Sequence, residues 1–180
     1  ADGGTGQSLS GLSTLGQGVV IDLSINDGIY FQNSNAGAVM ASPQFFNIIL
    51  NVENIIGTNF DDNIRTTNDT TVNTLRGQAG DDTLNARGGD DFLFGDEGND
   101  TLIGGNGADA IDGGDDIDTA SYAPSGAGIT LDLTDATGAS NLGDALGDTF
   151  VDVERFLGSD FGDTMIADNT GVYFDGGDGV

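Results

Sequence analysis

The chain contains no cysteine, no histidine and no tryptophan, and only four of its 180 residues are basic. Each absence removes a class of chemistry. Without cysteine there is no disulfide framework. Without histidine, Ser-His and Cys-His nucleophilic triads and His-rich zinc sites are excluded. The four cations are Arg65, Arg76, Arg87 and Arg155, scattered along the chain, so no basic patch exists for nucleic acid or an anionic membrane. No apolar run approaches the length needed for membrane insertion. Helix signals are equally scarce, because no stretch sustains an apolar stripe of helical period free of glycine. A pair of carboxylates could still run glycoside chemistry. The regularly spaced aspartates follow a different pattern, however, and no active site is expected in this chain.

Acid and glycine are abundant: 30 Asp and Glu and 31 Gly, for a net charge of −26. Such a charge opposes a compact state unless cations neutralise it. High charge with little apolar content would ordinarily read as disorder, but these residues are arranged in phase. From Gly77 to Ser121 the chain divides into five consecutive nine-residue segments, GQAGDDTLN, ARGGDDFLF, GDEGNDTLI, GGNGADAID and GGDDIDTAS. The sixth position is always aspartate, as Asp82, Asp91, Asp100, Asp109 and Asp118. The eighth is always apolar, as Leu84, Leu93, Leu102, Ile111 and Ala120. Each segment therefore reads as a polar glycine turn followed by a short strand with one inward side chain. Nine residues cannot bury a core alone; two segments make one turn of a flattened coil, and stacked turns make the core.

The donor chemistry of these turns points to calcium. Ca²⁺ takes about six to eight oxygens, which carboxylates and backbone carbonyls in tight turns supply. Turn glycines, here Gly77, Gly80, Gly89, Gly95, Gly98, Gly104, Gly105, Gly107, Gly113 and Gly114, let carbonyls approach an ion where a Cβ would obstruct. If consecutive turns lie on opposite edges, same-side partners are eighteen residues apart, pairing Asp82 with Asp100, Asp100 with Asp118, and Asp91 with Asp109. That arrangement holds about three inter-turn ions in this run. Solvated Asx turns would also favour aspartate, but would not fix a nine-residue phase over five copies. Gly105 to Ala110 fits a GxGxxA dinucleotide string, yet no buried strand precedes it and no helix follows. No EF-hand loop with flanking helices is present either.

The segments resemble the RTX, or hemolysin-type, calcium-binding repeats with consensus GGxGxDxUx. Gly104 to Asp112 matches in full. Departures are Gln78, Arg87 and Asp96 at the second position, Ala86 at the first and Asp116 at the fourth. The resemblance implies an all-β parallel β-roll, or β-solenoid, with Ca²⁺ between turns on the same side. It also implies a secreted bacterial protein exported by a type I system and folding outside the cell, where calcium is plentiful. Repulsion among carboxylates would keep the calcium-free chain open, and ion binding would become folding free energy.

A longer repeat surrounds the short one. Gly18 to Ser24 matches Gly128 to Thr134 at an offset of 110, whereas Val52 to Phe60 matches Val153 to Phe161 at 101. About nine surplus residues therefore lie in the first copy, between Asn26 and Phe46, where a surface loop is expected. The expected organisation is 1–17, the end of a preceding repeat block and linker; 18–76, a first flanking β unit; 77–121, the nonapeptide roll; 122–175, a second flanking unit; and 176–180, the start of another block. Both ends fall inside glycine motifs, so an excerpt of a longer chain is expected. Ile55 and Ile64, and then Phe156, Met165 and Phe174, keep the nine-residue phase, with Asp62 and Asp163 two places before Ile64 and Met165. These read as degenerate coils of the same stack with weaker or absent ion sites, and Asp62 and Asp163 join the candidate ligands. The eleven-residue step from Ile64 to Leu75 calls for a two-residue bulge near Thr66 to Thr71.

Phe92 and Phe94 flank inward Leu93, so both rings point outward. They are either a contact patch or are covered by the chain's own flanking segments. Asn68-Asp69-Thr70 and Asn99-Asp100-Thr101 are glycosylation sequons by pattern only. The roughly 110-residue period favours a calcium-dependent structural module of a tandem surface-layer protein, adhesin or extracellular filament. Its partners would be calcium and either copies of itself or other cell-surface components. The alternative is the carrier module of an RTX protease, lipase, epimerase or toxin.

Overall fold

The computed structural model describes residues 20–22, 53–66, 70–169 and 171–179. The surplus loop between Asn26 and Phe46, the residues before Val20 and the first sequon's Asn68 and Asp69 lie outside the described residues. The strands are β1 (Val20–Asp22), β2 (Asn54–Ile56), β3 (Asn63–Arg65), β4 (Thr74–Ala79), β5 (Thr83–Asn85), β6 (Phe92–Glu97) and β7 (Thr101–Ile103). They continue as β8 (Ala110–Asp115), β9 (Thr119–Ser121), β10 (Thr130–Asp132), β11 (Thr149–Val151), β12 (Arg155–Leu157), β13 (Thr164–Ile166) and β14 (Tyr173–Asp175). The one helical element among the described residues is a 3-10 turn at Gly143–Ala145.

The chain alternates between two parallel sheets. One runs β1-β3-β5-β7-β9-β12-β14, the other β11-β8-β6-β4-β2. In the repeat block each strand pairs with the strand eighteen residues on, Leu75 with Leu93 and Leu93 with Ile111 on one side, Leu84 with Leu102 on the other. This is the parallel β-roll expected from the nine-residue phase. The eighth-position residues form two facing columns, and Leu84, Leu93, Leu102, Ile111 and Ala120 are all buried. Each buried Leu or Ile contributes roughly 1.5–3 kcal/mol. Beyond Ala120 the columns end in rings. Phe156 lies beside Ala120 in register, and Phe150 and Phe174 pack on Phe156 with centroids 5.0 and 5.6 Å away.

The flanking segments extend the same roll. β2 pairs with β4 and β3 with β5 at a register of twenty residues, two more than in the block. The surplus pair falls between Ile64 and Leu75, a stretch in which 67–69 lie outside the described residues. After β9 the chain leaves the stack, forms β10, and returns through β11 beside β8 and β12 beside β9. β1 meets β3 with Val20 opposite Asn63, and β10 meets β13 with Thr130 opposite Thr164. The sequence separations are 43 and 34 residues, a difference of nine.

Backbone conformation at the turns is conserved even where glycine is not. The second position is left-handed in all five repeats: Gln78 (φ 91°), Arg87 (67°), Asp96 (78°), Gly105 (100°) and Gly114 (106°). The fourth is left-handed too, including Asp116 at 83°. A non-glycine residue there costs about 1–2 kcal/mol. Asp116→Gly should therefore stabilise the calcium-loaded fold by about 1 kcal/mol, read as a higher Tm by circular dichroism.

Candidate metal centre

The sixth-position aspartates form two ladders, one on each edge of the roll. On one edge the N–H of Asp62 donates to Asp82 Oδ1 at 2.6 Å, that of Asp82 to Asp100 at 2.7 Å, and that of Asp100 to Asp118 at 2.8 Å. On the other, the N–H groups of Asn73 and Asp91 donate to Asp91 and Asp109 at 2.7 and 2.9 Å. The predicted pairs, Asp82 with Asp100, Asp100 with Asp118 and Asp91 with Asp109, are thus the adjacent rungs. All five carboxylates are buried. Each hydrogen bond to a charged group contributes about 1.5–3 kcal/mol, but uses only one oxygen.

The second oxygen makes the site. Oδ2 of Asp82, Asp100, Asp109 and Asp118 is buried without a hydrogen-bond partner, a costly state for a charged atom. In each case it faces the first glycine of its own repeat, Gly77, Gly95, Gly104 or Gly113, so closely that a Cβ there would collide with it. Backbone carbonyls crowd the same space. Gly95 O lies beside Gly77, Gly113 O beside Gly95, and Asp152 O beside Gly113. Among the described residues no three acidic side chains converge, so the oxygen set mixes carboxylate with carbonyl. Hard, oxygen-only donors in a cradle without side chains fit calcium. In the second repeat the first position is Ala86, which is buried.

The remaining predicted glycines shape the stack. Gly80, Gly89, Gly98 and Gly107 sit where turns touch; at Gly98 and Gly107 a side chain would strike the carbonyls of Gly80 and Gly89. Gly105 and Gly114 supply the left-handed second position. The GxGxxA string lies in the turn from β7 into β8 with no helix after it. Asp62 and Asp163 are placed in the same phase, but both of their carboxylate oxygens accept hydrogen bonds from their own turns.

Three ladder members, Asn73, Asp148 and Glu154, lie outside the run of five repeat aspartates. Asn73 occupies the sixth position before Asp82, nine residues earlier. Asp148 and Glu154 close the ladders, accepting the N–H groups of Asp109 (2.8 Å) and Asp118 (2.9 Å). Both stand two residues before an inward ring, Phe150 or Phe156, as each repeat aspartate stands two before its aliphatic.

Electrostatics report the same strain. Burial, with neighbouring Asp100 and Asp62 adding, pushes the Asp82 carboxyl up to about 8. Burial raises Asp100, Asp109 and Asp118 to about 6. Without a counter-cation, between about pH 4 and pH 6 these groups hold protons that the unfolded chain releases.

A family model for the RTX calcium-binding nonapeptide repeat, in four copies, matches residues 67–102 and 88–120. This block is an array of RTX calcium-binding repeats. It binds several Ca²⁺ ions, and the carboxylate and carbonyl cradles described above are the groups that fit them. Bound calcium supplies positive charge and a coordination partner for the buried carboxylate oxygens. None of the curated proteins matches the chain significantly.

Two outcomes follow from the burial of these carboxylates. Folded-state values of about 6 to 8 lie above the ordinary 3.8, so between these limits the folded form binds more protons and loses stability as pH rises. In chelator, β-structure measured by circular dichroism should be greatest near the lower limit and fade as pH climbs through about 6 to 8. Asp100 and Asp81 should also differ. Asp100 is buried with rungs before and after it, whereas Asp81 is exposed and accepts only from Asn99 at 2.9 and 3.2 Å. Asp100→Ala should raise the calcium midpoint of folding much more than Asp81→Ala in parallel titrations.

Proposed function

We propose that this chain is a calcium-set structural section of a large secreted bacterial repeat protein, working at the cell surface as part of a layer, adhesin or filament, with no catalytic step of its own. The observation that carries this reading is the double ladder of buried carboxylates in a chain of net charge −26. Such a structure is compact where calcium is abundant and repels itself open where calcium is scarce. A protein of that kind can be kept unfolded before export and set afterwards. RTX repeats are typical of secreted bacterial proteins, and among the described residues no helix is long and apolar enough to cross a membrane.

Support for a tandem array comes from the repeated strand pairs β1–β3 and β10–β13, and from the outer face of the five-stranded sheet. Phe92 is 46 % exposed there. Phe94 is half-buried, with the Arg76 guanidinium 4.6 Å above its ring. The exposure of Phe92 supports the reading of this face as a contact surface, whereas Phe94 is partly covered by Arg76.

Circular dichroism in chelator at neutral pH should show coil, and millimolar Ca²⁺ should convert it to β-structure. Full β-signal in chelator would remove the basis for this function.

A further inference from the structure

Two turns outside the repeat block keep its phase but not its chemistry. Gly57 to Asp62 reads GTNFDD and Gly158 to Asp163 reads GSDFGD, each with glycine first and aspartate sixth. Thr58 and Ser159 stand at the second position, Phe60 and Phe161 at the fourth. None of these four residues is left-handed, whereas every second and fourth residue of the five central repeats is. The change redirects the turn's own donors. The N–H of Thr58 donates to Asp62 Oδ2 at 2.5 Å and its hydroxyl to Oδ1 at 3.3 Å. Ser159 repeats the arrangement on Asp163, N–H to Oδ2 and hydroxyl to Oδ1, both at 2.8 Å. At Asp148, the rung after Asp109, the Oδ2 atom accepts the Tyr122 hydroxyl at 2.6 Å inside the core.

We propose that Asp62, Asp148 and Asp163 hold no calcium, because Thr58, Tyr122 and Ser159 take the ion's place. At Asp62 and Asp163 the second and fourth residues of the turn then decide whether the aspartate binds metal, and at Asp148 the Tyr122 hydroxyl decides it. A left-handed pair leaves Oδ2 to a cation; a hydroxyl residue without positive φ, with phenylalanine two places on, saturates the carboxylate from within. An N–H dipole aimed at a carboxylate oxygen presents positive charge where a cation would stand, and a buried carboxylate with donors on both oxygens no longer needs one. The calcium array is thereby bounded on both sides by ion-free turns of the same fold. This inference rests on the reading of the central repeats as the calcium sites.

The test counts ions on the intact 180-residue chain by native mass spectrometry at saturating Ca²⁺, with circular dichroism confirming the fold of each variant. Asp163→Asn should keep the wild-type count, and Asp100→Asn should lose at least one ion. The double variant Ser159→Gly/Phe161→Gly, which restores glycine at both left-handed positions, should gain one. A folded Asp163→Asn protein that loses an ion overturns the proposal, and so does a folded double variant that gains none. If Asp163→Asn fails to fold, the double variant decides alone. An unchanged count for Asp100→Asn would instead overturn the assignment of calcium to the central ladder, a separate failure.

Discussion

Everything in this molecule depends on a buried carboxylate that does two jobs at once. One oxygen of each sixth-position aspartate accepts the N–H of the sixth-position residue one full turn earlier, as Asp100 does from Asp82, and so sets the height of the coil. The other oxygen is left without a protein donor at Asp82, Asp100, Asp109 and Asp118, and so sets the demand for a cation. Backbone stacking and metal binding are not separate properties of these turns. The core is secondary to them, being two columns of single aliphatic residues too thin to hold a roll of this charge together unaided.

The second constraint is on the backbone. Left-handed second and fourth positions recur in every central repeat, and Gln78, Arg87, Asp96 and Asp116 adopt them without being glycine. Local preference alone would not select that conformation. The stacking register and the carbonyls gathered around each carboxylate impose it, and a cation bound among those carbonyls would offset the strain. Thr58 and Ser159, free of that demand, satisfy their aspartates by ordinary hydrogen bonds.

The parts legible in the sequence are those fixed by stacking. The phase of Asp82 to Asp118, the inward Leu84 to Ala120 and the eighteen-residue partners all follow from a coil whose two sides alternate every nine residues. Even the cover on Phe94 is in the numbering, since Arg76 lies eighteen residues earlier and must sit beside it in register. Asp148 and Glu154 were hidden because the chain leaves the stack between Tyr122 and Asp148 and the count restarts. Only the acid-x-aromatic triplets Asp148-Thr149-Phe150 and Glu154-Arg155-Phe156 mark where the ladder resumes. The difference between Asp100 and Asp163 was also hidden. Spacing places both carboxylates, but the dihedral angles two and four residues into the turn determine which donors reach them.

The ladders are directional: each turn's N–H is satisfied by a carboxylate from the turn that follows it. The final turns of the block would be left with open donors, and Asp148 and Glu154 close them by accepting the N–H groups of Asp109 and Asp118. Such a closure is indifferent to how many turns lie beneath it. The block can therefore lengthen or shorten by whole coils without redesign of either end, whereas a change of a single nonapeptide would exchange the two edges and present each closing acid with the wrong column. Length in this architecture is a variable counted in pairs of repeats, and the closing segment acts as a common fitting for rods of different sizes.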